Sequence, residues 1–421
     1  MKKVFAFTLL LGSCAAAWSQ TSDATTIYGI VDAGLNRVTG MAGGSQTQLA
    51  SGIMEGSRLG FTGGEDMGGG WKAIFTLESR FEINNGTLGS RPSSGLQLPD
   101  RLSNAALLGL PSALQPAVAA VGAQLADQGL GVNLRNGIFD RKAYVGLVTP
   151  VGAVLLGRQY TPAFEVFATF DNMKFQSSLS AGQIVALPSM VDIRADNALA
   201  YRAQQGPFTV SAMLALGQSG AFPNKRLIGA LGMYQTDAYS FGVGYNEHNN
   251  ELGEKALRSA IFGATVAVGP GKFSGLYATV KDDHPADLSS IAAGLVASTA
   301  STPTPISLPV AQAVQKAFTE GLRQDGRLAS IGYTLVSGAL TSYVSFNRYN
   351  DLRPANADID SYGVAYSYAL SKRTDINLVL THFNNKNLAQ AAPGGNGFQG
   401  GVTASAGTDS NNVALGVRHR F

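Results

Sequence analysis

The residues of this chain that could do chemistry are mostly arginines, set at alternating positions rather than in catalytic groupings. Arg58 shares a face with Gly60 and Thr62, opposite Leu59 and Phe61. Arg194 runs in phase with Asp196, Ala198 and Arg202, opposite Leu199 and Tyr201. Arg80 falls on the small, polar face of its own segment, as Arg202 does. Carboxylates that could answer them, Glu165 and Asp171, lie in an irregular stretch, 161–194, that begins at the strand-breaking pair Thr161-Pro162. Fixed cations facing fixed carboxylates across water create a strong local field, which orders and sorts polar solutes without breaking bonds. Such a field requires arginines at one height on neighbouring strands and acids on a segment folded toward them.

Bond-making chemistry has little support. The four histidines, His248, His284, His382 and His419, form no pair at metal-ligand spacing. The stretch GPGKFSG at 269–275 lacks phosphate-loop spacing and a hydroxyl after Lys272, and reads as a turn between strands. No local Ser/His set is present. The expectation is no enzymatic activity, no cofactor and no metal. Lys and Arg total 31 against 28 Asp and Glu, a net charge of +3 that argues against a nucleic-acid partner.

The elements that must position these residues are strands. Charged residues make up 14% of the 421-residue chain, against roughly 25% in typical soluble domains, and glycine is abundant at 51. Alternation recurs along the chain. Tyr239, Phe241, Val243 and Tyr245 share one face, with Ser240, Gly242, Gly244 and Asn246 on the other. Tyr362, Val364, Tyr366 and Tyr368 repeat the pattern, and so do Ile376, Leu378 and Leu380. One apolar face and one small or polar face suit a membrane barrel, with lipid outside and water inside. Short connections, such as 150–152, 206–207, 269–271 and 338–339, alternate with long ones, as in outer-membrane barrels. Sixteen strands can be counted, the first near 25–37, the second at 53–65, the fourth at 138–149 and the last at 410–421. The number is even, as closure requires, and a barrel of roughly 16 strands encloses an aqueous channel.

Two loops are long, 86–137 and 284–324. Leu114, Val118, Val121 and Leu125 in the first have helical spacing, as do Val310, Ala313, Val314, Ala317 and Phe318 in the second. Their apolar stripes are expected to pack on each other as a cap; the sharper alternative has them narrowing the mouth.

The first residues, MKKVFAFTLLLGSCAAAWS, have a basic start, an apolar run and small residues, as in a signal peptide cleaved after Ser19. A competing reading takes 11–14, LGSC, as a lipoprotein box with Cys14 lipidated. Cys14 is the sole cysteine, so no intramolecular disulfide can form. No later stretch reaches the ~18 uncharged apolar residues of a transmembrane helix. Residues 20–421 are expected to form one barrel domain.

Several motifs resemble the general, non-specific porins of Gram-negative outer membranes, of the β-proteobacterial type. TIYGIVDAG at 26–34 is similar to that family's first strand, and GSRLG at 56–60 with EDMGGG at 65–70 to its second strand and first turn. WKAIFTLE at 71–78, RKAYVGL at 141–147 and LGRQYTP at 156–162 resemble the next three strands, and NNVALGVRHRF at 411–421 the last. The middle of the chain resembles the family in pattern only, and both helical loops exceed its usual lengths.

The resemblance implies an antiparallel barrel of sixteen strands, an infolded third loop at 161–194, and passive diffusion of small hydrophilic solutes and ions through a homotrimer in the outer membrane. It places Arg58, Arg141 and Arg194 in the pore's basic cluster, with Arg80 and Arg202 adding charge, and Asp171 and Glu165 on the facing loop. Alternation does not support Arg141, which shares parity with Ala143, Val145 and Leu147. A further acid of the family's loop falls on Phe175, beside Lys174. With base outweighing acid, mild anion preference is expected. A solute-specific channel and a barrel adhesin or receptor are the alternatives.

Overall fold

The computed structural model describes residues 25–185, 189–217, 224–395 and 400–421. The expected signal peptide with Cys14, and residues 186–188 of the irregular stretch, lie outside the described residues.

Sixteen antiparallel strands form one closed sheet. In chain order they are β1 (Thr26–Val38), β2 (Gln46–Ser51 continuing as Arg58–Gly68), β3 (Trp71–Arg80), β4 (Lys142–Thr149), β5 (Gly152–Tyr160), β6 (Arg194–Gln205), β7 (Phe208–Ala215) and β8 (Leu227–Gln235). β9 (Tyr239–Asn249), β10 (Lys255–Val268), β11 (Gly271–Asp282), β12 (Gln324–Ser337), β13 (Leu340–Asp351), β14 (Ile359–Ala369), β15 (Thr374–Asn385) and β16 (Ser410–Arg420) complete the ring. Each strand pairs with the next, and β16 closes on β1 with Leu35 opposite Leu415 and Val31 opposite His419.

Period two carries through to the two faces. Phe241 and Val243 are 47% and 56% exposed on the outer surface, while Ser240 and Asn246 between and beyond them are buried inside. On β16, Val413, Leu415 and Val417 face out and Asn412 and Arg418 face in, as the alternation predicts.

The second strand departs from the expected 53–65. It starts at Gln46 and is interrupted at 52–57, and both of its runs pair with β1. The cause is Asp32 on the inner face of β1. Its carboxylate accepts the backbone N–H groups of Ile53 (2.9 Å), Met54 (3.0 Å) and Glu55 (2.8 Å), which draws this segment off the ladder and into the lumen.

Inside the barrel the infolded loop begins with helix α3 (Pro162–Phe170), numbered after two helices of the loop between β3 and β4. The Thr161 side chain caps it by accepting from the Phe164 N–H, and proline at its first position suits the helix start. Asn246 on β9 clamps this end, donating to the Thr161 hydroxyl at 2.8 Å and accepting from the Ala163 N–H at 3.2 Å. The apolar side of α3, with Val166, Phe167 and Phe170, packs on the inner face of β8–β11, which is why Leu231, Met233, Ile261 and Leu276 are apolar there too. Gly263 permits the approach: a Cβ at this position would stand 2.2 Å from the Cβ of Phe170.

The two long loops contribute α1 (Asp100–Ser103) and α2 (Gln115–Gly129), then α4 (Ile291–Thr299) and α5 (Leu308–Leu322). Val118 and Val121 of α2 share one apolar cluster with Ile291 and Leu295 of α4 and Val314 and Phe318 of α5. The helices therefore pack on one another as a cap. Ala311 takes the buried place expected of Ala313, which is exposed. α1 ties this cap to neighbouring loops, with Asp100 N–H donating to Gln390 at 2.5 Å and Arg101 to the Gly321 carbonyl at 3.1 Å. Among the described residues no helix is long and apolar enough to cross a membrane.

Candidate functional site

After α3 the loop follows the barrel wall. Asn172 donates to the Val344 carbonyl (3.0 Å) and Ser345 hydroxyl (2.8 Å) and accepts from Thr334 (2.9 Å). Ser178 bonds Asn412 at 2.7 Å and Thr381 at 2.9 Å, and the Leu179 carbonyl accepts from Asn347 at 3.1 Å. The loop is thus bonded to β12–β16 and seated on β8–β11. The ends of β2–β6 are the wall it leaves open, and they carry the arginines.

That wall is built around Tyr160, the last residue of β5. Its hydroxyl accepts from Arg141 at 3.1 Å and from Arg194 at 3.3 Å. The Arg194 guanidinium lies 4.8 Å from the ring centroid and the Lys142 ammonium 5.2 Å, so the ring also takes cations against its π system. Arg141 pairs with Glu78 at 2.7 Å, and Glu78 in turn accepts from Tyr28 at 2.9 Å. Arg80, opposite Arg58 in the ladder, lies between Asp140 (3.5 Å) and Glu82 (3.6 Å). Arg58 pairs with Glu55 at 2.9 Å. Glu55 also binds Arg418 and Arg420, each at 3.0 Å, and both arginines reach Asp375.

Arg141 joins this cluster despite its parity because it precedes β4, which starts at Lys142. Its N–H bonds the Glu78 carbonyl at 3.2 Å, and its side chain turns inward. Arg194 opens β6 opposite Tyr160. Among the described residues it has no carboxylate within ion-pair distance, and the same holds for Lys174.

The acids of the loop are placed differently from the expectation. Glu165 does pair with a wall arginine, but with Arg202 rather than Arg58 or Arg194. Asp171 does not face the arginines. It is 2% exposed, and its carboxylate accepts from the Phe175 N–H (2.8 Å), the Ser180 hydroxyl (2.8 Å) and the Ala181 N–H (3.2 Å). It closes the loop on itself. Burial pushes its carboxyl above the usual carboxylate range, against those three bonds. Among the described residues of the loop, Glu165, Ala168, Thr169, Lys174, Phe175, Gln176, Gln183, Asp192 and Ile193 are partly open and Ser189 is exposed. Lys174, Phe175 and Ser177 all have positive φ, at 54°, 61° and 59°. Such backbone is strained for non-glycine residues and concentrates at functional sites.

Sequence reasoning passed over Glu78, Lys142, Asp140 and the role of Tyr160. Glu78 was accessible, since it shares parity with Arg80 on β3. Asp140 and Tyr160 sit at loop junctions, where alternation stops giving direction.

A basic wall facing an infolded loop inside a sixteen-stranded barrel is a porin arrangement, and the family comparison agrees: the model of the Gram-negative porin family matches residues 6–388. The chain belongs to the Gram-negative porin family. Its place is accordingly the outer membrane, which it crosses with its strands. A curated outer membrane porin protein of Bordetella pertussis is 36% identical over 99 residues, 20% of this chain. That alignment spans 25% of the Bordetella protein's length. Among solved structures, the anion-selective porin from Comamonas acidovorans shares the fold at 21% identity and a TM-score of 0.68, covering 94% of this chain and 99% of that one. The trimer form of OmpT, an outer membrane protein of Vibrio cholerae, shares it at 12% identity and a TM-score of 0.55, covering 94% and 99%.

Proposed function

We propose that the barrel is a passive diffusion channel for small hydrophilic solutes and ions, with mild anion preference, and that Arg58, Arg80, Arg141, Arg194 and Arg202 with Glu165 form its constriction. One observation carries the reading: Arg194 and Lys174 are cations without a contacting carboxylate, on the wall and on the loop, while Asp171 is withdrawn into the loop. An eyelet whose unpaired charges are basic lowers the electrostatic cost for anions more than for cations. The fold shared with a porin described as anion-selective supports this. The expected assembly is a homotrimer, supported by the relative described in trimer form. Neither the fold nor the residues suggest an enzyme.

Swelling of liposomes in graded sugars tests the proposal. A size cutoff alone supports a general pore. Saturation by one solute would indicate a solute-specific channel, and absence of swelling would indicate an adhesin or receptor.

A further inference from the structure

The constriction offers more than charge. Three rings form a continuous path from wall to loop: Tyr160 and Phe164 have centroids 5.0 Å apart, and Phe164 and Phe175 4.9 Å apart, the latter pair edge to face. Phe175 also meets Phe167 at 5.7 Å. Cations without a carboxylate partner bracket the path, with Arg194 against the Tyr160 ring at one end and Lys174 beside Phe175 at the other. Phe175 is partly open although its loop is otherwise largely buried.

Its position is specified by the fold. The residue holds φ at 61°, which a bulky side chain adopts only when its surroundings impose it. Gly182 lies under the ring; a Cβ there would come within 2.1 Å of it. A glycine that seats a phenylalanine in strained backbone, at the edge of an aqueous passage, keeps an apolar surface where water would otherwise favour a polar residue.

The geometry points to a weak binding site for carboxylates that carry a planar apolar body, of which benzoate is the simplest probe. This inference rests on the anion-preferring channel reading. The carboxylate meets Arg194 or Lys174, and the ring lies along Phe175 and Tyr160, where it regains part of the contact that water denies it. Acetate has the charge without the ring. A neutral sugar has neither, so only the combined group gains from both features.

The test is block of chloride current in planar bilayers by benzoate, cyclohexanecarboxylate and acetate at equal ionic strength. Benzoate should half-block at a concentration at least about five-fold below that of acetate, with cyclohexanecarboxylate between them. Phe175→Asn, a residue that tolerates positive φ, should bring benzoate to the acetate value, while Phe175→Leu should keep part of the difference. Arg194→Gln should weaken block by both acids. Equal half-blocking concentrations in the unmodified, anion-preferring channel, or a benzoate effect that survives Phe175→Asn, would overturn this inference and leave the channel reading standing. Cation selectivity, or no conductance, would overturn both.

Discussion

Arg141 and Glu78 show how closely the charges around Tyr160 are built into the wall. Their side chains are only 5% and 2% exposed and meet at 2.7 Å, with Tyr160 and Tyr28 satisfying further atoms of each. Arg141→Ala leaves the Glu78 carboxylate buried without its main partner, and should destabilise the barrel by about 3 kcal/mol in urea titrations in detergent. Lys174 is a different kind of charge. Burial, with Lys272 nearby, pushes its ammonium down to about 8. It is cationic below that pH and neutral above it, so anion preference should fall as pH rises from 6.5 to 9.5. Reversal potentials at the two pH values check this; a constant value would remove Lys174 from the account. At this scale the sequence revealed which arginines lie in strands, because parity gives direction there. It did not reveal Asp171's burial, since its three donors come from irregular backbone and a hydroxyl whose positions no periodicity encodes.

At the scale of elements, α3 and the wall it covers are one device. The break at Thr161-Pro162 and the return to alternation near Arg194 marked the infolded loop in the sequence. Its exact seat was hidden, because inner-face apolar residues such as Leu231, Ile261 and Leu276 contradict the simple lipid-out, water-in rule. They are apolar because α3 covers them. Gly263→Val should force Phe170 away from β10 and lower stability by about 1–3 kcal/mol, read from thermal unfolding in detergent. If melting were unchanged, close seating of α3 would not be needed for the fold. The interruption of β2 was likewise illegible, because Asp32, which causes it, lies on another strand.

For the whole molecule, strand number and closure were legible because two-faced alternation and short turns recur along the entire chain. The packing of the helical loops was legible only as a need to bury two apolar stripes. α2, α4 and α5 meet that need together, so removing 112–129 alone should bare Val314 and Phe318 and increase binding of an apolar dye by detergent-solubilised protein. An unchanged dye signal would show that the helices do not depend on one another. We propose a water-filled barrel whose constriction is basic on balance, because Arg194 and Lys174 have no contacting carboxylate while Glu165 is matched to Arg202 and Asp171 is turned away. The zero-current potential of the reconstituted channel in a potassium chloride gradient tests it most directly. A potential signed for chloride permeating faster than potassium is the predicted result; a potential signed for potassium would contradict it.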